Sequence, residues 1–227
     1  MAKALDGIIL IDKAERESSF SAVRKLRKIF MIRKVGHAGT LDPFASGLLI
    51  MLLGQGTKLS AYLMGQAKSY RATVRLGIET DTMDHTGRIV RTRPVPPLDP
   101  DDIRKKAQHF EGNIDQVPPA FSALKLDGKR SYALARMGVP VELKKRRVTI
   151  HSLEIVSVEL PEVTFLVTCS GGTYVRSLAA DLGEAVGTGG HLTALRRLSS
   201  GPFSVKEALT LEGEGPGLSQ SAFEQAV

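Results

Sequence analysis

One acid in the sequence stands out for its setting. Asp42 lies in a glycine-rich stretch, Gly36 to Gly47 (GHAGTLDPFASG), with Pro43 behind it and His37 and Thr40 just ahead. An aspartate in such company is ordinarily a turn residue, because its short side chain bonds nearby backbone and Asp-Pro steps start turns. Held ionised, the same carboxylate is a nucleophile or a general base. Charge bears on the choice: Arg24 to Lys34, leading into the loop, carries six basic residues and no acidic one. A carboxylate beside a bound polyanion is electrostatically costly unless a cation offsets it. Its presence there invites a chemical role, and from the residues alone both readings stand.

Other chemistries find little support. Gly54-Gln55-Gly56-Thr57-Lys58 looks like a fragment of a phosphate loop but does not satisfy that pattern, and Gly187 to Gly190 (GTGG) matches no dinucleotide fingerprint. Both read as turns. Asp81, Asp84 and His85 sit close together, but the stretch is too short for a calcium loop and no Cys/His set has zinc spacing. No metal or cofactor is expected. No serine sits in a Gly-x-Ser-x-Gly elbow.

The 227 residues, 42% of them hydrophobic, suffice for one large domain, or one with a small appendage. The single cysteine, Cys169, lies in an apolar stretch and reads as core; no disulfide can form within the chain, and a reducing compartment, the cytoplasm, is expected. Asp6 interrupts the apolar run after Lys3 and no small-residue cleavage site follows, so no signal peptide is expected. The apolar run Leu48 to Leu53 is too short to span a membrane. The net charge of +7 is concentrated: besides Arg24 to Lys34, the segment Lys125 to Arg147 sets eight basic residues against Asp127 and Glu142. Such clustering is the footprint of a polyanion binder, although basic runs are also ordinary solvated faces.

Elements that would carry these residues follow from periodicity. Gly7 to Asp12 (GIILID) predicts a buried strand. Ser18 and Ser19 can cap a helix with Val23, Leu26 and Phe30 on its inner face. Leu48 to Leu53 predicts a short strand, Thr57 to Leu63 a helical turn or two, and Tyr70 to Leu76 an alternating half-buried strand. A turn over Asp81 to Gly87 and a proline-rich connector over Arg93 to Pro100 precede a capped helix reaching Phe110. Pro118 to Lys129 reads as irregular and Ser131 to Met137 as helix, ended by Gly138. Two β-rich stretches, Arg147 to Leu160 and Val163 to Ser170, lead into a helix from Tyr174 to Val186. Leu211 to Val227 reads as a frayed tail. Without a βαβ rhythm, the class expected is α+β around a mixed, largely antiparallel sheet with flanking helices.

The loop at Asp42 resembles a known one. Gly36 to Pro43 (GHAGTLDP) with Ala45 to Leu49 (ASGLL) looks like the catalytic loop of the TruB-type tRNA pseudouridine synthases. Gly7 to Lys13 (GIILIDK), Lys68-Ser69-Tyr70, Leu76 to Asp84 (LGIETDTMD), Pro118 to Gly128 (PPAFSALKLDG) with Tyr132 and Ala135-Arg136, Cys169 to Arg176 (CSGGTYVR), Asp181-Leu182-Gly183 and His191 to Leu198 (HLTALRRL) follow in the family's order. The resemblance runs from about residue 7 to 210, and jointly these motifs are highly specific. Ala14 and Arg16 depart from it, standing where the family usually has proline and glycine.

The resemblance implies the activity and the roles. Uridine-55 in the TΨC loop of tRNA would be flipped out and isomerised to pseudouridine. Asp42 matches the essential aspartate, acting as nucleophile or base. Tyr70 matches the tyrosine that stacks on the base, and Arg176 the arginine that pairs with the catalytic carboxylate. His37, Tyr174 and Leu195 match pocket-lining residues, and Lys13 a lysine supporting the site. The fold implied is the pseudouridine synthase type with a basic thumb insertion at about residues 120–147, in a catalytic domain over 1–210 with a tail over 211–227. Lys125, Lys129, Arg130, Lys144, Lys145 and Arg146 would grip the RNA backbone. Many family members carry a further C-terminal RNA-binding module; the expectation here is a chain without it, a monomer whose partner is tRNA and no membrane. The alternatives are a guide-dependent relative and a non-catalytic RNA-binding or RNA-folding protein on the same scaffold.

Overall fold

A computed structural model describes residues 5–122, 124–126, 129–137 and 143–211. The first part of the chain forms β1 (Gly7–Lys13), α1 (Ser19–Phe30), β2 (Val35–His37), β3 (Ser46–Leu53), α2 (Ser60–Gly65) and β4 (Lys68–Leu76). Then come β5 (Ile78–Thr80), β6 (Ile89–Thr92), α3 (Pro100–Gln108), β7 (Gly112–Gln116), β8 (Lys125–Leu126), β9 (Lys129–Arg130) and α4 (Ser131–Arg136). The last part forms β10 (Arg146–Glu159), β11 (Glu162–Cys169), α5 (Val175–Ala185), β12 (Gly190–Ser200), β13 (Phe203–Ser204) and β14 (Leu209–Thr210). Two compact units result: one takes in residues up to Tyr70 and those from Leu195 onward, the other Arg71–Ala194.

In the first unit β1 and β3 pair antiparallel from Gly7 opposite Leu53 to Lys13 opposite Gly47. β14 joins β1 in parallel, and β12 joins β3 in parallel through Arg196 and Arg197. Paired on both edges, β3 is buried from Gly47 to Leu53, which is why it reads as a continuous apolar run instead of an alternation. Ala38, Leu48, Ile50, Leu52 and Leu63 form a core with Ile8, Leu10, Phe203, Val205 and Ala208 around it. Helix α1 starts where Ser18 accepts a hydrogen bond from the Ser21 N–H, buries Ala22, Val23, Leu26 and Phe30, and stops at Met31 in the left-handed region (φ 53°).

The second unit is built on the β10–β11 hairpin, with β7 antiparallel along the other edge of β10. On β11, Val163, Phe165, Val167 and Cys169 alternate inward. The Asp99 carboxylate caps α3, Pro100 opens it, and Ile103 and Ala107 seat it. With β1–β14 and β3–β12 parallel and β1–β3, β10–β11 and β7–β10 antiparallel, the fold is α+β around a mixed sheet, the class expected.

Sequence periodicity missed β12. Leu192, Leu195 and Leu198 recur every third residue, a spacing that does not mark a strand. The short hairpin of β8 and β9 interrupts the stretch read as irregular. Asp127, Gly128, Gly138, Glu142 and residues 212–227 of the expected tail lie outside the described residues, as do the side chains of Lys125, Lys129, Arg130, Ala135 and Arg136.

Candidate active site

Asp42 sits, partly exposed, in the connection from β2 to β3. The backbone on either side of it is held by buried side chains from other elements. Before it, the Ser19 hydroxyl in the first turn of α1 accepts from the Leu41 N–H (2.9 Å) and donates to the Leu41 carbonyl (3.1 Å). After it, the Lys13 ammonium at the end of β1 donates to the Pro43 carbonyl (3.4 Å) and to those of Glu17 and Ala14 (2.8 Å each). A turn closes through the Ala45 N–H to the Asp42 carbonyl. The loop leaves through Gly47, whose φ of 101° and close backbone neighbour admit only glycine: a Cβ there would lie 2.3 Å from the Arg197 carbonyl oxygen.

Among the described residues of this unit, three cations are buried. Lys13 is fully buried, and desolvation pushes its ammonium down to about 8 against the opposing charges of Glu17, Asp42 and Glu15. Arg197 on β12, 1% exposed, donates to the Leu48 carbonyl (2.6 Å) and the Gly39 carbonyl (3.2 Å), spanning the loop at both ends. Lys68 opens β4 and donates to the Met64 and Gln66 carbonyls. Burial, and then the Arg197 charge, hold the His37 imidazole below its ordinary value, so it is neutral near pH 7. Its buried Nδ1 finds no hydrogen-bond partner among the described residues, which leaves a polar atom for a ligand to satisfy. Tyr70 on β4 and Leu195 on β12 are both buried. Lys13, His37, Asp42, Tyr70 and Leu195 thus belong to one unit.

Tyr174 and Arg176 belong to the other. Tyr174 caps α5 without a side-chain bond; instead the buried Gln116 amide takes its N–H (2.8 Å) and donates to its carbonyl (3.0 Å). Arg176, in the first turn of α5, is 4% exposed. Its guanidinium donates to the Thr82 and Phe121 carbonyls (2.9 Å each) and lies 3.5 Å from the Asp84 carboxylate. Asp84 in turn accepts from the Thr82 hydroxyl, the Thr86 N–H and the Thr86 hydroxyl. Asp81 is occupied by Arg88. These acids, weighed from sequence as a metal cluster, are ligands of arginines, and no group of three metal-ligating side chains occurs among the described residues.

Of the expected phosphate-gripping residues, Lys144, Lys145 and Arg146 are exposed at the start of β10. Sequence reasoning missed Ser19, Arg197, Asp84 and Gln116 as supports. Ser19 was legible only as a second serine where one cap suffices. Asp84 carried a signal in its flanking Thr82 and Thr86; Arg197 and Gln116 carried none.

The sequence matches the TruB family pseudouridylate synthase (N terminal domain) over residues 27–175 and the tRNA pseudouridylate synthase B C-terminal domain over 176–213. It is 49% identical over 208 residues to the tRNA pseudouridine synthase B of Syntrophotalea carbinolica, covering 92% of this chain and 68% of that one. Against the protein of that name from Aromatoleum aromaticum it is 51% identical over 209 residues, with the same shares. Among solved structures, a chain of the Cbf5-Nop10-Gar1 complex superposes with a TM-score of 0.71 at 32% identity, over 90% of this chain and 52% of that one. A chain of an H/ACA RNP bound to a substrate RNA containing 2'-deoxyuridine gives 0.67 at 30%, over 90% and 51%. This chain therefore spans about half the length of those solved chains. Matched by the family model over residues 27–175 and about half identical to these proteins, the chain belongs to the TruB family of pseudouridylate synthases.

Proposed function

We propose that this chain isomerises uridine-55 in the TΨC loop of tRNA to pseudouridine, with Asp42 as its catalytic carboxylate. The observation that carries the reading is the support of that one residue: Ser19 grips the backbone before it and Lys13 the backbone after it, in a chain about half identical to proteins named tRNA pseudouridine synthase B. A turn aspartate needs no such scaffold; a carboxylate that must meet a reacting atom does.

The reaction breaks the N–C glycosidic bond and forms a C–C bond to the same base. It changes no oxidation state and adds no group, so the site needs no cofactor. The base must leave its stack, and Tyr70 is the aromatic assigned to receive it, a contact worth roughly 1–3 kcal/mol. Arg176 is assigned as the counter-ion that keeps Asp42 ionised for attack on the nucleoside or removal of its proton. His37, Tyr174 and Leu195 are assigned to the pocket, and Lys13 to holding the loop. The thumb segment with Lys125, Lys129, Arg130, Lys144, Lys145 and Arg146 would grip RNA phosphates. The protein would act as a monomer in the cytoplasm; among the described residues no helix is long and apolar enough to cross a membrane.

The test is to incubate the protein with a bare TΨC stem-loop and map pseudouridine, beside Asp42→Asn. Conversion at position 55, lost in the variant, is expected. Conversion that survives the substitution removes Asp42 from the chemistry. One observation favours a second reading, guide-dependent modification: the likeness to a chain solved with Nop10 and Gar1. No conversion of bare RNA, restored by a guide RNA and partner proteins, is the outcome that would favour it.

A further inference from the structure

The outer face of α1 carries a row of cations that the catalytic loop does not use. Phe20, Arg24 and Lys28 follow at i, i+4 and i+8, and Arg27 and Met31 flank them; all five are exposed. Arg33 and Lys34 extend the row past the helix end, also exposed. Lys25 turns aside to Glu17 (2.5 Å), and Arg27 leans on the Val35 carbonyl. Arg24, Lys28, Arg33 and Lys34 meet no carboxylate among the described residues. The Arg24 guanidinium instead lies over the Phe20 ring, 5.8 Å from its centroid, on a side chain 59% exposed.

Several exposed cations of the other unit do have carboxylate partners. Arg88 pairs with Asp81, Arg91 with Glu79, Arg104 with Asp101 and Lys105 with Asp102. With Arg27 included, this solvated face stands at +5 with no acid on it; it is self-repelling, and its natural complement is a polyanion. Its position fits one polyanion in particular. The first turn of α1 holds Leu41, next to Asp42, through Ser19. From there the helix runs about 17 Å at 1.5 Å per residue, roughly five phosphates along one strand.

We propose that Arg24, Lys28, Arg33 and Lys34 form an RNA-docking rail that binds successive backbone phosphates of the strand running away from the target uridine, with Phe20 holding the Arg24 guanidinium outward. The proposal rests on the reading of the substrate as RNA and adds a surface distinct from the thumb.

The test reads binding alone. A fluorescein-labelled TΨC stem-loop is titrated between 50 and 300 mM KCl with the parent protein and with R24Q/K28Q/R33Q/K34Q. Glutamine keeps helix propensity, so α1 persists. A charge-matched control, R88Q/R91Q/R104Q/K105Q, removes four cations that already have partners. The rail variant is expected to bind about tenfold more weakly at 0.1 M salt, with its log–log salt slope reduced by about 3, while the control keeps the parent slope. A rail variant with the parent slope, or one matched by the control, overturns the rail. Because no pseudouridine is measured, these outcomes stand apart from those of the stem-loop conversion, which alone decide the activity.

Discussion

In the first unit the buried cations Lys13, Lys68 and Arg197 bind main-chain carbonyls. In the second the buried cation Arg176 faces the Asp84 carboxylate, itself wrapped by Thr82 and Thr86. The difference follows from what each must hold. A loop presenting a partly exposed carboxylate is fixed here through its backbone, whose carbonyl dipoles accept the cations. A guanidinium that must stay in place tolerates, and needs, a full counter-charge. One arrangement accepts a desolvation cost and the other cancels it by pairing.

If that contrast holds, removing a carboxylate should damage the second unit most. Asp84→Ala removes the carboxylate 3.5 Å from the buried Arg176 guanidinium and is expected to cost about 3–5 kcal/mol in urea unfolding. Asp84→Asn, which still accepts from Thr82 and Thr86, should cost clearly less. Equal losses for the two would mean that space, and not charge, is what Asp84 supplies.

The first unit predicts a pH dependence of definite sign. Lys13 titrates near 8 when folded and at its ordinary 10.5 when unfolded. Below pH 8 both states are protonated and the burial penalty is present in full. Between 8 and 10.5 the folded state sheds the proton that the unfolded state keeps, so Lys13 becomes less costly as pH rises. Relative to Lys13→Met, the parent is expected to gain up to about 3 kcal/mol across that window, read by denaturant melts at pH 7.5 and 10.5. A difference flat in pH would place the Lys13 ammonium in a wet environment and break the contrast.

The smallest effect sharpens the account of the loop. Ser19→Ala removes both bonds to Leu41 while Ser18 still caps α1, and should cost about 1–2 kcal/mol. Single-turnover pseudouridine formation should fall more than that stability loss explains, since the backbone one residue from Asp42 is freed. An unchanged rate would show that the loop is held adequately by Lys13 and Arg197 alone.

Much of this was legible in the residues. Asp42 could be singled out because a carboxylate next to a basic helix is anomalous, and β3 and α1 because burial leaves its period in the sequence. Gly47 could be seen as a glycine but not as the contact point of two backbones. Arg197 looked like one more cation of a basic chain until β12, which no alternation marks, brought it under the loop.

The sequence by itself determined the class of fold, the family and the residue to mutate first, since local periodicity and an ordered set of motifs survive in one dimension. Only the tertiary structure decided which cations serve the loop, which face outward unpaired along α1, and which acid holds Arg176. Those assignments depend on burial and on partners remote in the chain: Leu48 with Arg197 at 149 residues, and Thr82 with Arg176 at 94. Charge type can be read from a letter, but its environment is set by what folds against it.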